Sequence, residues 1–368
     1  MERKATLSLV LALFSIGVWG ADSAALNSML DPLTGQINAI VGSVESDVAP
    51  QLLQIALSND AVGEAALSGD FPHGSLTVAS LSVSFGHGLG TVLGNGTYNF
   101  SGNAINLQSI IQNNAPSNLY TASQQVFPYP SFSGGIGFGI VNDFEILANG
   151  YIIPQSLTDS LDNMAGSTIG SLDPQFSASN LLVKVRKVFF RDTASHPAMS
   201  LALGAVYGQT TLGVGDFDLS KLAGNLDLGS GTTLNITGPA SLTTQVFGTG
   251  LEFAVSKRLP LITPFANAGI WYRHAVASSD VNLVATVSNT TTNPATTATK
   301  TIQISPSYTD DAIDGRLGAG FELRLWAVIL DFGAHLDLEN PLIYIKSFSL
   351  TDIALNGLSV NTGIRINW

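Results

Sequence analysis

The sequence predicts an all-β transmembrane fold: an antiparallel outer-membrane β-barrel of about ten strands, within about 10 to 14, with a short N-terminal helical plug or periplasmic segment. Three observations predict it. The first is the C-terminal stretch Leu358 to Trp368, which alternates without a break. Leu358, Val360, Thr362, Ile364, Ile366 and Trp368 share one face, and Ser359, Asn361, Gly363, Arg365 and Asn367 share the other. A membrane-spanning strand is about 9 to 11 residues long and alternates in this way. The second is the N-terminus, where Arg3 and Lys4 precede a nearly all-apolar Ala5 to Trp19 and then Gly20-Ala21. That layout is an export signal over 1–20, with cleavage expected after Gly20; an uncleaved N-terminal anchor is the alternative. The third is composition: 45% of residues are hydrophobic and 11% charged. No run of about 18 apolar residues follows the signal. Such a chain either fills a large soluble β core or faces lipid, and a closed barrel is the sheet that leaves no backbone edge unpaired in hydrocarbon.

Composition also sets the compartment and the partners. With 0 Cys in 368 residues there is no lipoprotein cysteine, disulfide, Cys-ligated zinc or Cys nucleophile, and an oxidising exported location is acceptable. A net charge of -12 argues against nucleic acid, and the acidic excess belongs in loops and periplasmic segments. The expected location is the bacterial outer membrane. The expected partners are outer-membrane lipid and the outer-membrane assembly machinery, for which Leu358, Val360, Ile364, Ile366 and Trp368 provide the terminal signal strand.

Residues 21–70 have a different period from the rest. Leu26, Leu30, Leu33, Ile37, Ile40, Val41, Val44 and Val48 recur at three- and four-residue spacing, with Asp31-Pro32 as cap and first-turn proline. Pro50 begins a second helical stretch through Leu52, Leu53, Ala56, Leu57 and Ala65. Two helices this short are marginal without a partner surface, so the segment is a plug in or below the lumen or a periplasmic extension packed on itself.

Residues 71–368 read as the barrel. Candidate spans are 74–86, 131–141, 143–153, 179–190, 199–212, 241–255, 262–276, 313–325, 327–338 and 358–368. Their connections alternate long (87–130, 154–178, 213–240, 277–312, 339–357) and short, the asymmetry of extracellular loops and periplasmic turns, which places both termini in the periplasm. Strand 313–325 puts Ile313, Leu317, Phe321 and Leu325 on one face and its charges Asp314, Arg316, Glu322 and Arg324 on the other. In the first strand Leu76 and Val78 are out of phase with Leu81, Val83 and Phe85, so a bulge is expected near Ala79-Ser80. Phe189-Phe190, Tyr272, Trp326 and Trp368 fall near strand ends, as interfacial aromatics do. The alternating stretch 281–305 is expected to be an exposed hairpin beyond the membrane, and 342–350 is an additional strand or an infolded loop.

The succession Phe71-Pro72-His73, Phe127-Pro128-Tyr129-Pro130, Asn142-Asp143-Phe144 and Tyr151-Ile152-Ile153-Pro154, extending through Ser256-Lys257-Arg258 and Thr263-Pro264-Phe265, resembles divergent members of the long-chain fatty-acid transporter (FadL-type) family. The resemblance implies an N-terminal hatch, a fourteen-stranded wall and a lateral opening for hydrophobic ligands. The Asn-Pro-Ala hatch motif of the best-known members is not found at the start of this mature chain, and no ligand-binding residue is carried over.

By phase, the candidate lumen-lining residues are Glu145, Lys184, Arg186, Glu252, Arg273, Arg316, Glu322, Arg324, Asp331, Asp337 and Arg365. Mixed signs favour mutual neutralisation. Alternatively, Arg316, Arg324 and Arg365 attract an anionic head group such as a carboxylate. The inward Ser133, Gly135, Gly137 and Gly139 either leave a gap in the wall or pack closely against a plug. No catalytic or metal motif is present: the five His are scattered, and no nucleophile elbow or HExxH occurs. No enzyme activity, metal or cofactor is therefore expected. The expected function is passive uptake of hydrophobic or small amphipathic compounds such as long-chain fatty acids. The alternatives are a surface-exposed adhesin or host-interaction barrel, and a narrow porin for small hydrophilic solutes.

Overall fold

The computed structural model describes residues 26–27, 30–31, 33–58, 60, 63–67, 73–87, 97–100, 103–106, 126–141, 143–153, 174–218, 226–229, 231–291, 295–339 and 357–368. The expected export signal, 1–20, and the apolar stretch 342–350 lie outside these residues.

Two helical pieces come first, α1 (Leu33–Val48) and α2 (Leu52–Leu57), joined by a 3-10 turn at Ala49–Gln51. The strands follow in order: β1 (Gly74–His87), β2 (Thr97–Phe100), β3 (Asn103–Asn106), β4 (Val126–Val141), β5 (Phe144–Ile153), β6 (Pro174–Phe190), β7 (Ala198–Asp218), β8 (Leu226–Gly229), β9 (Thr232–Ser256), β10 (Ile262–Asn289), β11 (Thr296–Ile304), β12 (Ser307–Leu325), β13 (Val328–Glu339) and β14 (Leu358–Asn367). Ten of them, β1, β4 to β7, β9, β10 and β12 to β14, form a closed antiparallel ring, with β14 pairing β1 and β10 joining β9 to β12. The ring shuts at Gly74 and Trp368, whose backbones exchange hydrogen bonds of 3.0 and 3.1 Å. The wall has ten strands among the described residues, so the fourteen implied by the family resemblance do not apply.

Alternation explains the outer face. Ile270, Leu251, Leu203, Ile313, Leu317, Val360 and Ile364 are exposed, where lipid would cover them, while their strand neighbours point inward. On three adjacent strands this band ends at an aromatic row, Tyr207, Phe247 and Tyr272, in which Phe247 pairs with both Tyr207 and His274. From Ile262 to Tyr272 the tilted strand rises roughly 25 Å, the height of a hydrocarbon band. The opposite rim carries Phe189, Phe190, Leu325, Trp326 and Trp368, all exposed. Two short turns there place non-glycine residues at positive φ, Asp143 at 67° and Trp326 at 60°. Asp143 is held by Arg191 at 2.7 Å.

Several expected loops are partly strand. Beyond the aromatic row β10 continues to Asn289, paired on one side with β9 and on the other with β11, for example Val287 with Leu234 and with Ala298. Stretches assigned to the loops 213–240 and 277–312 therefore form a sheet standing roughly 40 Å above the lipid band. The expected hairpin over 281–305 is the pairing of β10 with β11. The expected bulge lies at Val78 and Ala79, where the β1 register shifts between Thr77 and Ala79.

The N-terminal segment runs through the barrel, and its direction corrects the expected topology. Leu26, Leu30 and Leu33 are buried in one cluster with Leu283, Val287 and Ile302 of the raised sheet, at the long-loop end. Leu53 and Leu57 pack with Leu182, Val246 and Trp271 at mid-height. Ala65 and Ala66 pack with Val188, Ala198 and Ala254 beside the short turns. The chain end at Trp368 does lie on the short-turn side, where both termini were placed, but Leu26 lies at the opposite end. The second helix also stops at Leu57, short of the expected Ala65. The carbonyls of Ala56 and Leu57 accept from wall donors, Asn180 at 2.8 Å and Arg316 at 2.9 Å, and Leu57 also takes the Asp60 N–H at 3.2 Å in a closing turn.

Candidate functional site: the occupied lumen

Of the residues expected to line the lumen, Glu145, Lys184, Arg186, Glu252, Arg273, Arg316, Glu322, Asp331 and Arg365 are buried, with Glu145, Glu322 and Arg365 at most 1% exposed, and Arg324 and Asp337 are half-buried. Charge at that depth is tolerable only when paired, and the pairs converge on the N-terminal segment. Nearest the short turns, Glu64 bridges to Arg365 at 3.1 Å, to Arg324 and to Arg258 at 3.5 Å. Glu322 accepts from Arg365 at 2.7 Å and from the Glu64 backbone N–H at 3.2 Å. Beside this, Glu145 holds Arg186 through its Nε at 2.8 Å, the His73 ring at 3.3 Å and the Leu67 N–H at 3.1 Å. Lys184 spans Asp60 of the segment and Glu252 of the wall, the latter at 2.9 Å. Higher up, Arg273 meets Asp310 at 2.7 Å and Asp314 at 3.1 Å and donates to the Pro50 carbonyl. Arg316 meets Asp337 at 3.5 Å.

Arg316, Arg324 and Arg365, the basic residues expected to attract a carboxylate head group, are occupied by Leu57 O, Glu64, Glu322 and Asp337. The protein's own carboxylates fill the place such a ligand would take. Asp331 stands apart. It pairs across the ladder with Glu322, is 2% exposed, and neither of its oxygens finds a hydrogen-bond partner among the described residues.

The inward glycines of β4 pack closely. A Cβ on Gly135 would lie 1.8 Å from Asn149 Oδ1, one on Gly137 would lie 2.7 Å from Ser75 Oγ, and one on Gly139 would lie 2.5 Å from the His73 ring. The space they leave is therefore used by neighbouring side chains and by the entering chain. Trp271 sits in a similar cradle: Cβ atoms on Gly204 and Gly250 would each approach its indole to 2.5 Å. A cavity of about 30 Å³ lies between Leu53, Leu57, Trp271, Arg273, Arg316 and Asp337, the size of one water molecule. A polar recess of about 310 Å³ opens at the short-turn mouth between Leu67, Arg191, Asp192, Ser256 and Arg258.

Asp60, Glu64, His73, Asn180 and Asn361 belong to this site and were not among the expected lumen residues. Asn361 and Arg365 alternate on the inward face of the last strand, so the two-residue period would have found Asn361. Nothing in the helical period of 26–65 signals that Asp60 and Glu64 face arginines and a lysine. No group of three or more His, Asp or Glu among the described residues could hold a metal ion.

No family model matches the chain, and no curated protein matches it. Among solved structures it is similar to the outer membrane protease OmpT of Escherichia coli, at 8% identity, covering 81% of this chain and 97% of that one, with a TM-score of 0.38. It is also similar to the transport unit of the autotransporter AIDA-I of Escherichia coli, at 8% identity, 88% and 98% coverage and a TM-score of 0.28. A Pseudomonas aeruginosa FadL homologue aligns at 10% identity, 85% and 97% coverage and a TM-score of 0.25. At these scores the likeness carries no functional argument.

Proposed function

We propose that this outer-membrane barrel is a surface-exposed binding protein that engages its partner through the raised sheet. The observation that supports this reading is the outward face of β9, β10 and β11 above the aromatic row. In register across the three strands stand Asn235, Thr286 and Thr299, then Thr233, Ser288 and Thr297, with Asn282 opposite Gln303. These eight positions carry hydroxyl or amide groups and no charge, in a protein of net charge -12, with Val284 between them on the same face and the exposed Asp280 below. Such a face loses little on desolvation and can exchange hydrogen bonds with an uncharged, hydroxyl-rich partner such as a glycan. The occupied lumen supports the same choice over a porin, because a ten-stranded wall is filled by side chains even without a plug.

The test is adhesion of cells producing the protein to glycan-coated surfaces, comparing the native chain with the Thr286→Lys, Thr299→Lys double variant. Two adjacent charges on this face should abolish binding without altering the wall. Equal binding by both would remove the sheet from the reading.

Uptake of hydrophobic compounds remains a second reading because of one feature of the wall. The β4–β5 ladder ends at Gly134 and Gly150, while β4 continues to pair with β1 as far as Val126 with His87. Saturable binding of a fluorescent long-chain fatty acid, unaffected by the lysine pair, would favour it.

A further inference from the structure

The direction of the N-terminal segment has a consequence for how the barrel is used. Leu30 packs against Leu283 and Val287, which lie on β10 beyond Tyr272 and hence beyond the outer edge of the lipid band. Asp31 pairs with Lys300 of β11 at 3.0 Å, on the same raised sheet. The segment then descends once through the lumen and enters β1 at Gly74, beside Trp368 on the short-turn side. An exported chain reaches the outer membrane from the periplasm, so a segment lying this way has been passed outward through the wall or enclosed by it with its leading end outside.

The contacts along the descent suit passage of a polypeptide. The wall grips the main chain: Arg273, Asn180, Arg316, Asn361 and Arg186 donate to the carbonyls of Pro50, Ala56, Leu57, Asp60 and Glu64. The N–H groups of Glu64, Ala65 and Leu67 donate to Glu322, Ser256 and Glu145. Every residue offers the same carbonyl, and every residue except proline the same N–H, so this part of the grip is indifferent to sequence, and it stands beside the sequence-specific pairs of Asp60 with Lys184 and of Glu64 with Arg365 and Arg324. We infer that the lumen is the outward route of this chain's own N-terminal segment, and that Asn27 and Asp31 stand at the cell surface. This rests on the orientation of the barrel and is independent of what the raised sheet binds.

The chain contains 0 Cys, so single-cysteine variants report without background. Asn27→Cys would be compared with Thr291→Cys at the β10–β11 turn and Ala194→Cys at the β6–β7 turn; all three positions are exposed. Intact cells would be treated with a maleimide too large to cross the outer membrane, before and after the membrane is permeabilised. Asn27→Cys is expected to label on intact cells as fully as Thr291→Cys, and Ala194→Cys at least tenfold less until permeabilisation. Labelling of Asn27→Cys only after permeabilisation, or only after denaturation, overturns the inference. Labelling of Ala194→Cys but not Thr291→Cys on intact cells would reverse the barrel and overturn it as well.

Discussion

Arg365, in the last strand of the wall, meets Glu64, in the segment that precedes the first strand, at 3.1 Å, so the two ends of the barrel domain are joined through the lumen as well as around the ring. Arg365 is 1% exposed and has Glu322 as its other partner at 2.7 Å. Removing one member of a buried pair leaves the other charged and desolvated, at a cost of about 3 to 5 kcal/mol. Glu64→Ala should destabilise the folded barrel by that order, read from urea unfolding of the refolded protein. Glu64→Leu combined with Arg365→Met should lose less than the sum of the two single changes. Strict additivity would show that the pair is not coupled.

Two wall glycines should respond differently to the same change. A Cβ on Gly320 would fall 2.1 Å from the carbonyl oxygen of Phe332 and 2.8 Å from the Gly333 Cα, both backbone atoms that cannot swing aside. On Gly134 the nearest atom is the Thr77 oxygen at 3.5 Å, an ordinary contact. Gly320→Ala is expected to cost about 1 to 3 kcal/mol as overpacking, and Gly134→Ala to be close to neutral. Heat-modified mobility of the refolded variants on gels would rank them.

What was legible follows from where the environment is two-sided. Between lipid and lumen each strand must alternate, so the phases of Arg316, Glu322 and Arg324 against Leu317, Phe321 and Leu325 could be read without a structure. Above the lipid that contrast fades. Thr286 and Thr299 face water where Ile270 would face lipid, so the period that marks a strand weakens on that side and β9 and β10 run further than it predicts. Helical spacing marked Leu26, Leu30 and Leu33 as one apolar face, but an apolar face does not name its partner. Whether it met Leu283 and Val287 or stayed in the periplasm was therefore undecided, and the direction of threading with it. Asp60 and Glu64 were illegible for a further reason: their partners are more than 120 residues away, on strands whose inward charges were visible but unassigned.

The outer cluster should be separable from the wall. Leu30 and Leu33 tie α1 to Val281, Leu283 and Ile302 by apolar burial, worth about 1.5 to 3 kcal/mol for each leucine side chain. By contrast β10 below Tyr272 is held by continuous ladders to β9 and β12. Segments with different anchors open with different free energies. Leu30→Asp would bury an unpaired carboxylate among those side chains, so the cluster should open rather than accept it. Hydrogen exchange should then accelerate across α1 and β11 by tenfold or more, while the amides of β10 between Ile262 and Tyr272 keep their native protection. If those lower amides lose protection in step with α1, the outer cluster and the membrane wall are one cooperative unit, and the raised sheet cannot move without the barrel beneath it.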